Sequence, residues 1–343
     1  MAIPSSGAIS FDTIQTEFGG TNPIGLNEYY AGGSFVQAGA SGTNGAVPSS
    51  GAISVGQFFG TAKPPPAGQQ AFTTAGCYTW VAPTGVTKVS VVAVGASRGG
   101  TSSYGSGGGG LGYKNNYSVT PGSSYTVKVG TTCSSTACMT SYFVNDTVVA
   151  GKGPTIYVAG RYLCGGTYVG DGGGNGGNSY ISCGFNDAQP SGAGAGGYSG
   201  NGGSSRGNTA AGGNGAGGGG GAAGYVRPCY IGGGGGGGVG IFGQGASGAG
   251  GVPSGGGPCT TATISGGGGG SGGATGGGAS VSIGPGNGAC PPFSGSAVGG
   301  DYGGGGGKGN AYSTITMGGG KGAVRIIWPG CARTFPSTRT ANE

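Results

Sequence analysis

The chain has 343 residues, of which 98 are glycine, and only 6% are charged, with a net charge of +6. Glycine loses the most backbone entropy on folding and adds nothing to a core, so such a chain either stays disordered or packs backbone on backbone. The low charge argues against solvated disorder, and the scattered basic residues argue against nucleic-acid binding. No run of about 18 apolar residues is present, so no membrane insertion is expected.

Residues 1–62 contain an internal repeat, in which Ile3–Ser10 recurs as Val47–Ser54. Each copy ends in a serine placed to cap a short helix, and Pro23–Tyr30 could form one more helical turn. Helices this short are marginal alone, so we expect the module to order by packing on a partner, with a small independent cap as the alternative. The residues expected to attach it are Phe11, Ile14, Phe18, Tyr29, Tyr30, Phe58 and Phe59.

Residues 63–70 are predicted to be a linker, because three consecutive prolines favour an extended polyproline II conformation. Alternating or β-branched residues then predict strands. The strongest are Val86–Val94, Lys114–Val119, Ser124–Val129, a hairpin over Ser141–Val149, and a closing strand at Gly322–Trp328. Residues 332–343 are expected to be a tail.

The strands lie mostly at the two ends of residues 71–331, and the glycine tracts lie between them. This predicts an all-β fold, with a β-sandwich frame that carries long glycine-rich insertions. The tracts lack the every-third glycine of collagen, but polyproline-II-like glycine helices, here called polyglycine II, remain possible. Ordered packing of such helices is the expectation, and a floppy low-complexity tract is the alternative.

Nine cysteines without any histidine argue against the usual zinc patterns and favour disulfides formed outside the cell. The N-terminus lacks the features of a signal peptide, so release by another route, such as lysis, is expected. The predicted bridges are Cys133–Cys138, Cys164–Cys183, Cys229–Cys259 and Cys77–Cys331. An odd count leaves at least one thiol free or paired between chains.

Enzymatic chemistry finds little support, because histidine is absent and the eight acidic residues are dispersed. No catalytic residue, metal or cofactor is therefore predicted. Aromatic residues are spaced along the glycine tracts. They either pack between the tracts or lie at loop tips, where they contact sugars and proteins and nearby asparagines provide hydrogen bonds. The candidate binding residues are Tyr157, Tyr162, Tyr168, Tyr180, Tyr198, Tyr225, Tyr230, Phe242 and Tyr302.

Several of these motifs resemble glycine-rich tail-fibre and adhesin proteins of marine phages and cyanophages. The resemblance rests on segments near the two ends of the chain: Ile3–Phe11 with Glu17–Gly20 and Glu28–Tyr30, Phe72–Val86, and Gly322–Gly330 with Arg333–Thr338. In architecture alone, the glycine tracts also resemble the tail-tip adhesins of T-even-like phages and the glycine-rich extracellular domain of anaplastic lymphoma kinase. Both imply packed glycine helices.

The sequence and this resemblance together lead to the hypothesis of a virion structural protein, a tail fibre or adhesin that binds a glycan or protein of the host surface. Residues 1–62 would attach it to other tail or capsid proteins, and the protein would be a homo-oligomer, expected to be a trimer. The alternatives are a capsid or tail decoration protein without a receptor role, and a secreted extracellular matrix or filament protein.

Overall fold

The computed structural model describes residues 2–64, 67–101, 105–156, 162–180, 191–205, 211–223, 233–254, 262–276, 279–281, 294–295, 297–307, 318–330 and 333–337. Within these residues the fold is all-β, with two α-helices and many antiparallel strands. The chain divides into two compact units. The N-terminal unit is Met1–Pro66 with Pro83–Thr87 and Thr120–Gly122, and the glycine-rich unit is Ala67–Ala82, Lys88–Val119 and Ser123–Glu343.

The N-terminal unit is built from short elements that the sequence patterns predict. The elements are α1 (Phe11–Phe18), 3₁₀ helices at Leu26–Tyr29 and Val55–Phe58, and a two-residue pair of strands, β1 (Ser41–Gly42) with β2 (Gly45–Ala46). Helix α1 begins where the Ser10 hydroxyl accepts a 3.2 Å hydrogen bond from the Thr13 N–H. It ends at Gly19, whose φ of +93° suits glycine.

The N-terminal unit has a hydrophobic core of its own. Phe18, Tyr29 and Phe58 are fully buried, and Phe58 meets the other two rings edge to face at centroid distances of 6.1 and 6.2 Å. Ile14 and Val36 are also fully buried beside them. Sixty residues with few helical turns thus enclose one aromatic cluster without a partner surface. Attachment of this unit to a partner stays a prediction.

The two copies of the repeat adopt matching conformations. Ile3 and Val47, the first residue of each copy, are both buried in the core. Gly7 and Gly51 both have positive φ, +100° and +82°. The residues just before and after these glycines are exposed in both copies. Identical sequence thus gives two similar exposed loops on one unit.

The glycine-rich unit contains two five-stranded antiparallel sheets. In the first, the order is β13 (Gly172–Gly174), β6 (Leu111–Ser118), β5 (Lys88–Val94), β19 (Ala323–Trp328) and β3 (Gly68–Phe72). In the second, it is β12 (Tyr168–Val169), β9 (Val149–Gly151), β8 (Ser141–Phe143), β7 (Ser124–Val129) and β4 (Gly76–Val81). The strand β3 begins inside the predicted linker, so that linker is shorter than expected.

The remaining elements are short. Helix α2 covers Thr136–Met139. A three-stranded sheet contains β10 (Thr155–Ile156), β11 (Tyr162–Cys164) and β14 (Ser179–Tyr180), and a four-stranded sheet contains β15 (Pro253–Ser254), β16 (Ala262–Ile264), β17 (Ala279–Val281) and β18 (Ser294–Gly295).

Aromatic side chains connect the two large sheets. Trp80 on β4 lies 5.9 Å from Trp328 on β19, and Phe143 on β8 meets Tyr117 on β6 edge to face at 5.7 Å. Strand β5 also contacts β8 and β9. The predicted strands are therefore confirmed as parts of these two sheets, and β19 pairs antiparallel with both β3 and β5.

Candidate functional site

The glycine tracts of the second unit form a hydrogen-bonded array, here called the glycine array: residues 105–110, 174–178, 191–205, 211–223, 233–251, 266–276 and 297–307. Along residues 191–197, N–H groups three positions apart donate to the same neighbouring segment. The donor–acceptor pairs, all between 2.8 and 3.0 Å, are Gly192–Gly234 with Ala195–Gly237, Ala193–Ser106 with Gly196–Gly109, and Gly194–Gly203 with Gly197–Gly200. Residues 191–197 are thus bonded, through their N–H groups alone, to residues 234–237, 106–109 and 200–203, the last of which belong to the same segment.

The segments of the array lie too close for any side chain at most of their glycines. A Cβ added to Gly194 would overlap the carbonyl oxygen of Gly220, and one added to Gly236 would overlap that of Ala193. At Gly318, outside the array, a Cβ would meet only the methyl groups of Val298, at 3.4 and 3.6 Å. Glycine is required in the array because backbone packs directly on backbone.

At the borders of the array, polar side chains accept hydrogen bonds from backbone N–H groups. The Asn201 amide oxygen accepts from the Asn175 N–H at 3.0 Å, and the Asn214 oxygen accepts from the Gly250 N–H at 2.7 Å. The Ser271 hydroxyl accepts from the Gly245 N–H at 3.0 Å. The asparagines predicted to bind a ligand thus include two that satisfy the backbone instead.

The array packs on the first sheet through a buried cluster around Tyr198. The Tyr198 hydroxyl donates to the Gly240 carbonyl and accepts from the Gly243 N–H, both at 3.1 Å. Its ring stacks on Phe335 at 5.7 Å and lies 6.2 Å from Tyr113. Burial raises the pKa of Tyr198 well above its usual range, so the phenol stays neutral and serves as a structural hydrogen-bonding group.

Arg325, on β19, is fully buried beside this cluster. Its guanidinium group donates to the Gln69 side chain, through Nε at 3.0 Å and through Nη2, and to the Ile241 carbonyl at 3.2 Å. The Phe242 ring lies 4.6 Å from the guanidinium carbon, in cation–π geometry. Burial lowers the pKa of Arg325 to about 10, and these neutral partners hold the cation in place.

The aromatic residues predicted to bind a ligand differ in their exposure to solvent. Tyr198 is buried, and Tyr302 is half-buried against the same cluster, so packing accounts for both. Tyr168 and Phe242 are exposed, at 36% and 37% of their surface. Tyr162 and Tyr180 are register partners in the backbone of β11 and β14. The remaining three, Tyr157, Tyr225 and Tyr230, lie outside the described residues.

Of the predicted attachment residues, Ile14, Phe18, Tyr29 and Phe58 are core residues. Phe11 is exposed, at 40% of its surface, and Tyr30 and Phe59 are half-buried. The Tyr30 hydroxyl donates to the Gly51 carbonyl and so ties down the second repeat. The helical spacing of the apolar residues predicted which of them share a helix face. It did not predict that this face packs in the core of the N-terminal unit.

The cysteines give one bridge among the described residues, the predicted Cys133–Cys138, which closes a short loop next to α2. Cys77 is exposed and Cys164 is half-buried, and neither is bridged to another described cysteine. Their predicted partners lie outside the described residues, as does the Cys229–Cys259 pair, so these bridges stay predictions.

Charged groups in the described part of the chain form a few exposed pairs. Lys114 contacts Asp171 at 2.8 Å, and Lys321 contacts Asp301 at 3.4 Å. Burial opposes ionisation of Asp171, but hydrogen bonds from Lys114 and the Asn115 N–H outweigh it and lower the pKa. Across the described residues, no cluster of three or more acidic or cysteine side chains could hold a metal ion, and no helix there is long and apolar enough to cross a bilayer.

Comparison with known proteins finds no matching family model, no similar curated protein and no similar solved structure.

Proposed function

We propose that this chain is a structural protein of a phage particle, a tail fibre or adhesin, located at the virion surface. The N-terminal unit attaches it to other tail or capsid proteins, and the glycine-rich unit projects towards a glycan or protein of the host surface. The observation that carries the proposal is the glycine array, whose backbone is bonded in several directions and leaves no room for side chains. Such a scaffold is stiff without a large side-chain core and suits the display of connecting loops.

The finer architecture is part of the same proposal. N–H groups that return to the same neighbour every third residue are what a helix of three residues per turn requires. This supports polyglycine II helices in the array. The ring contacts between the two five-stranded sheets support a β-sandwich frame, in which two sheets share one core.

We propose that residues 1–62 attach the protein through a different set of residues from the one predicted from the sequence. Because the aromatic core of the N-terminal unit is internal, the attachment surface consists of what remains exposed, namely Phe11 and the loops of the two repeats. Two similar loops offer two similar contacts, and a second contact on a short tether adds avidity. A homotrimer would multiply these contacts again.

The test is to purify particles of the virus that encodes this chain and to locate the chain by mass spectrometry and immunogold electron microscopy. A label at the tail is the expected result, a label spread over the head supports the decoration-protein alternative, and absence from particles overturns the proposal. Deletion of residues 1–62 should abolish incorporation, whereas deletion of residues 338–343 should not. Normal incorporation without residues 1–62 would contradict the assigned polarity.

A further inference from the structure

A cavity of about 230 Å³ lies in the glycine-rich unit, between the end of β5 and the loop that precedes α2. Its size corresponds to roughly eight molecules of liquid water, so it suits a single small group rather than a long chain. Arg98 is one of its lining residues. The Arg98 Nη1 atom is shielded from solvent and has no hydrogen-bond partner.

This guanidinium group differs from that of Arg325, which is satisfied by Gln69 and a carbonyl group. Arg98 as a whole is half-buried, but a solvent-shielded N–H group of a cation without an acceptor is costly, and an anion beside it removes the cost. The described residues that line the cavity include no carboxylate. Asp171 and Asp301, the two acidic residues of this unit in described salt bridges, are paired with Lys114 and Lys321. Among the described residues, no negatively charged side chain therefore lies beside Arg98 in the cavity.

The rest of the lining is suited to a sugar. Five residues with hydroxyl side chains, which can donate or accept, line the cavity: Ser106, Ser134, Ser135, Thr136 and Thr155. Met139 and Pro154 add apolar surface, against which the carbon face of a sugar ring can rest. Charge, hydroxyls and a small apolar face together match a sugar that carries one acidic group.

The hydroxyl wall is held in shape before any ligand arrives. Cys133 and Cys138 are bridged, and the bridge spans Ser134, Ser135 and Thr136. The Ser135 hydroxyl also accepts from the Cys138 N–H at 3.3 Å. A preorganised wall loses less entropy on binding, which favours affinity for a small ligand.

We propose that this cavity, here called the Arg98 cavity, binds the carboxylate of an acidic monosaccharide, either free or as the residue of a glycan. The guanidinium group pairs with the carboxylate, and the hydroxyl wall bonds to the sugar hydroxyls. The proposal concerns the isolated protein and stands apart from the proposed location in a virion.

The test uses the full chain and measures the binding of sodium glucuronate by calorimetry, or by ligand-observed NMR, with acetate and glucose as comparison probes. We expect glucuronate to bind more tightly than either probe and its affinity to fall as salt is added. Arg98→Gln should weaken binding at least tenfold, whereas Lys88→Gln, which removes an exposed charge elsewhere, should leave it unchanged. A glucuronate-linked oligosaccharide that binds where the free sugar does not would identify a glycan residue as the ligand.

Equal binding of glucuronate by Arg98→Gln and the unmodified chain would overturn the proposal, and so would equal affinity for acetate and glucuronate. Arg98→Lys provides a second variant if Arg98→Gln does not fold, as judged by circular dichroism. It keeps the charge but loses the planar fork, so an affinity between those of the other two proteins is expected. Unchanged affinity in Arg98→Lys, together with no salt dependence, would equally refute the role of the guanidinium group.

Discussion

The two units of this protein stabilise their folds in different ways. In the N-terminal unit, short helices and loops surround Phe18, Tyr29 and Phe58, so that large aromatic side chains form part of its hydrophobic core. In the glycine array, side chains are almost absent, and N–H groups of one segment bond to carbonyl groups of several others. The comparison teaches that buried hydrogen-bonded backbone can take the place of a side-chain core when glycine lets segments approach closely.

The sharpest way to test this contrast is to add one methyl group to the array. Gly236→Ala places a Cβ on the Ala193 carbonyl, where neither backbone can yield. We expect a loss of about 3 kcal/mol or more in the free energy of unfolding, or failure of the array to fold. Denaturant unfolding followed by circular dichroism would measure it.

The matched control is Gly318→Ala, since a Cβ there makes ordinary contacts with Val298. It should be neutral or slightly stabilising, because alanine restricts the unfolded chain. If both variants unfold at the same denaturant concentration, the array is looser than its hydrogen bonds indicate.

The second test removes one ring from the other unit. Phe58→Ala should cost roughly 3–5 kcal/mol, because the ring is fully buried and touches two others. Limited proteolysis should then cut within residues 1–62 while the glycine-rich unit stays intact. Phe11→Ala, at an exposed position, should change stability by less than about 0.5 kcal/mol. Equal protease sensitivity of the two variants would show that the core contributes little.

The third test concerns the cluster between the array and the first sheet. Tyr198→Phe removes two buried hydrogen bonds of the hydroxyl and should cost about 1–3 kcal/mol at pH 7. The folded pKa of Tyr198 is raised, so the stability that its neutral phenol provides is complete below the unfolded pKa of about 10. That stability is lost as pH rises further.

Urea unfolding at several pH values from 7 upwards would measure this effect. The unmodified protein should lose stability more steeply above pH 10 than Tyr198→Phe does. Arg325 is present in both proteins and interacts electrostatically with Tyr198, so the difference between them reports the phenol together with its effect on Arg325. Parallel pH profiles would mean that the hydroxyl is not sequestered.

Local patterns predicted the frame well. Alternating β-branched residues located β5 and β19, and the serine before Phe11 located the start of α1, because these signals reside in a few consecutive side chains. The sequence also indicated backbone packing in the tracts. It could not indicate which tract bonds to which, since a run of glycines has no side-chain pattern to define register.

The sequence could not predict which aromatic side chains of the glycine tracts are buried and which are exposed, for a different reason. Tyr198 and Phe242 lie in similar glycine-rich surroundings, yet one is buried and the other is exposed, because only the tertiary fold places the first against Phe335. The Arg98 cavity was equally hidden. It joins residues far apart in the chain, and no motif connects them.

The close approach of backbones in the array also bears on how this gene can change. Every missense substitution of a glycine codon introduces a Cβ, and at positions such as Gly194 that atom has nowhere to go. We therefore expect substitutions of such glycines to be poorly tolerated.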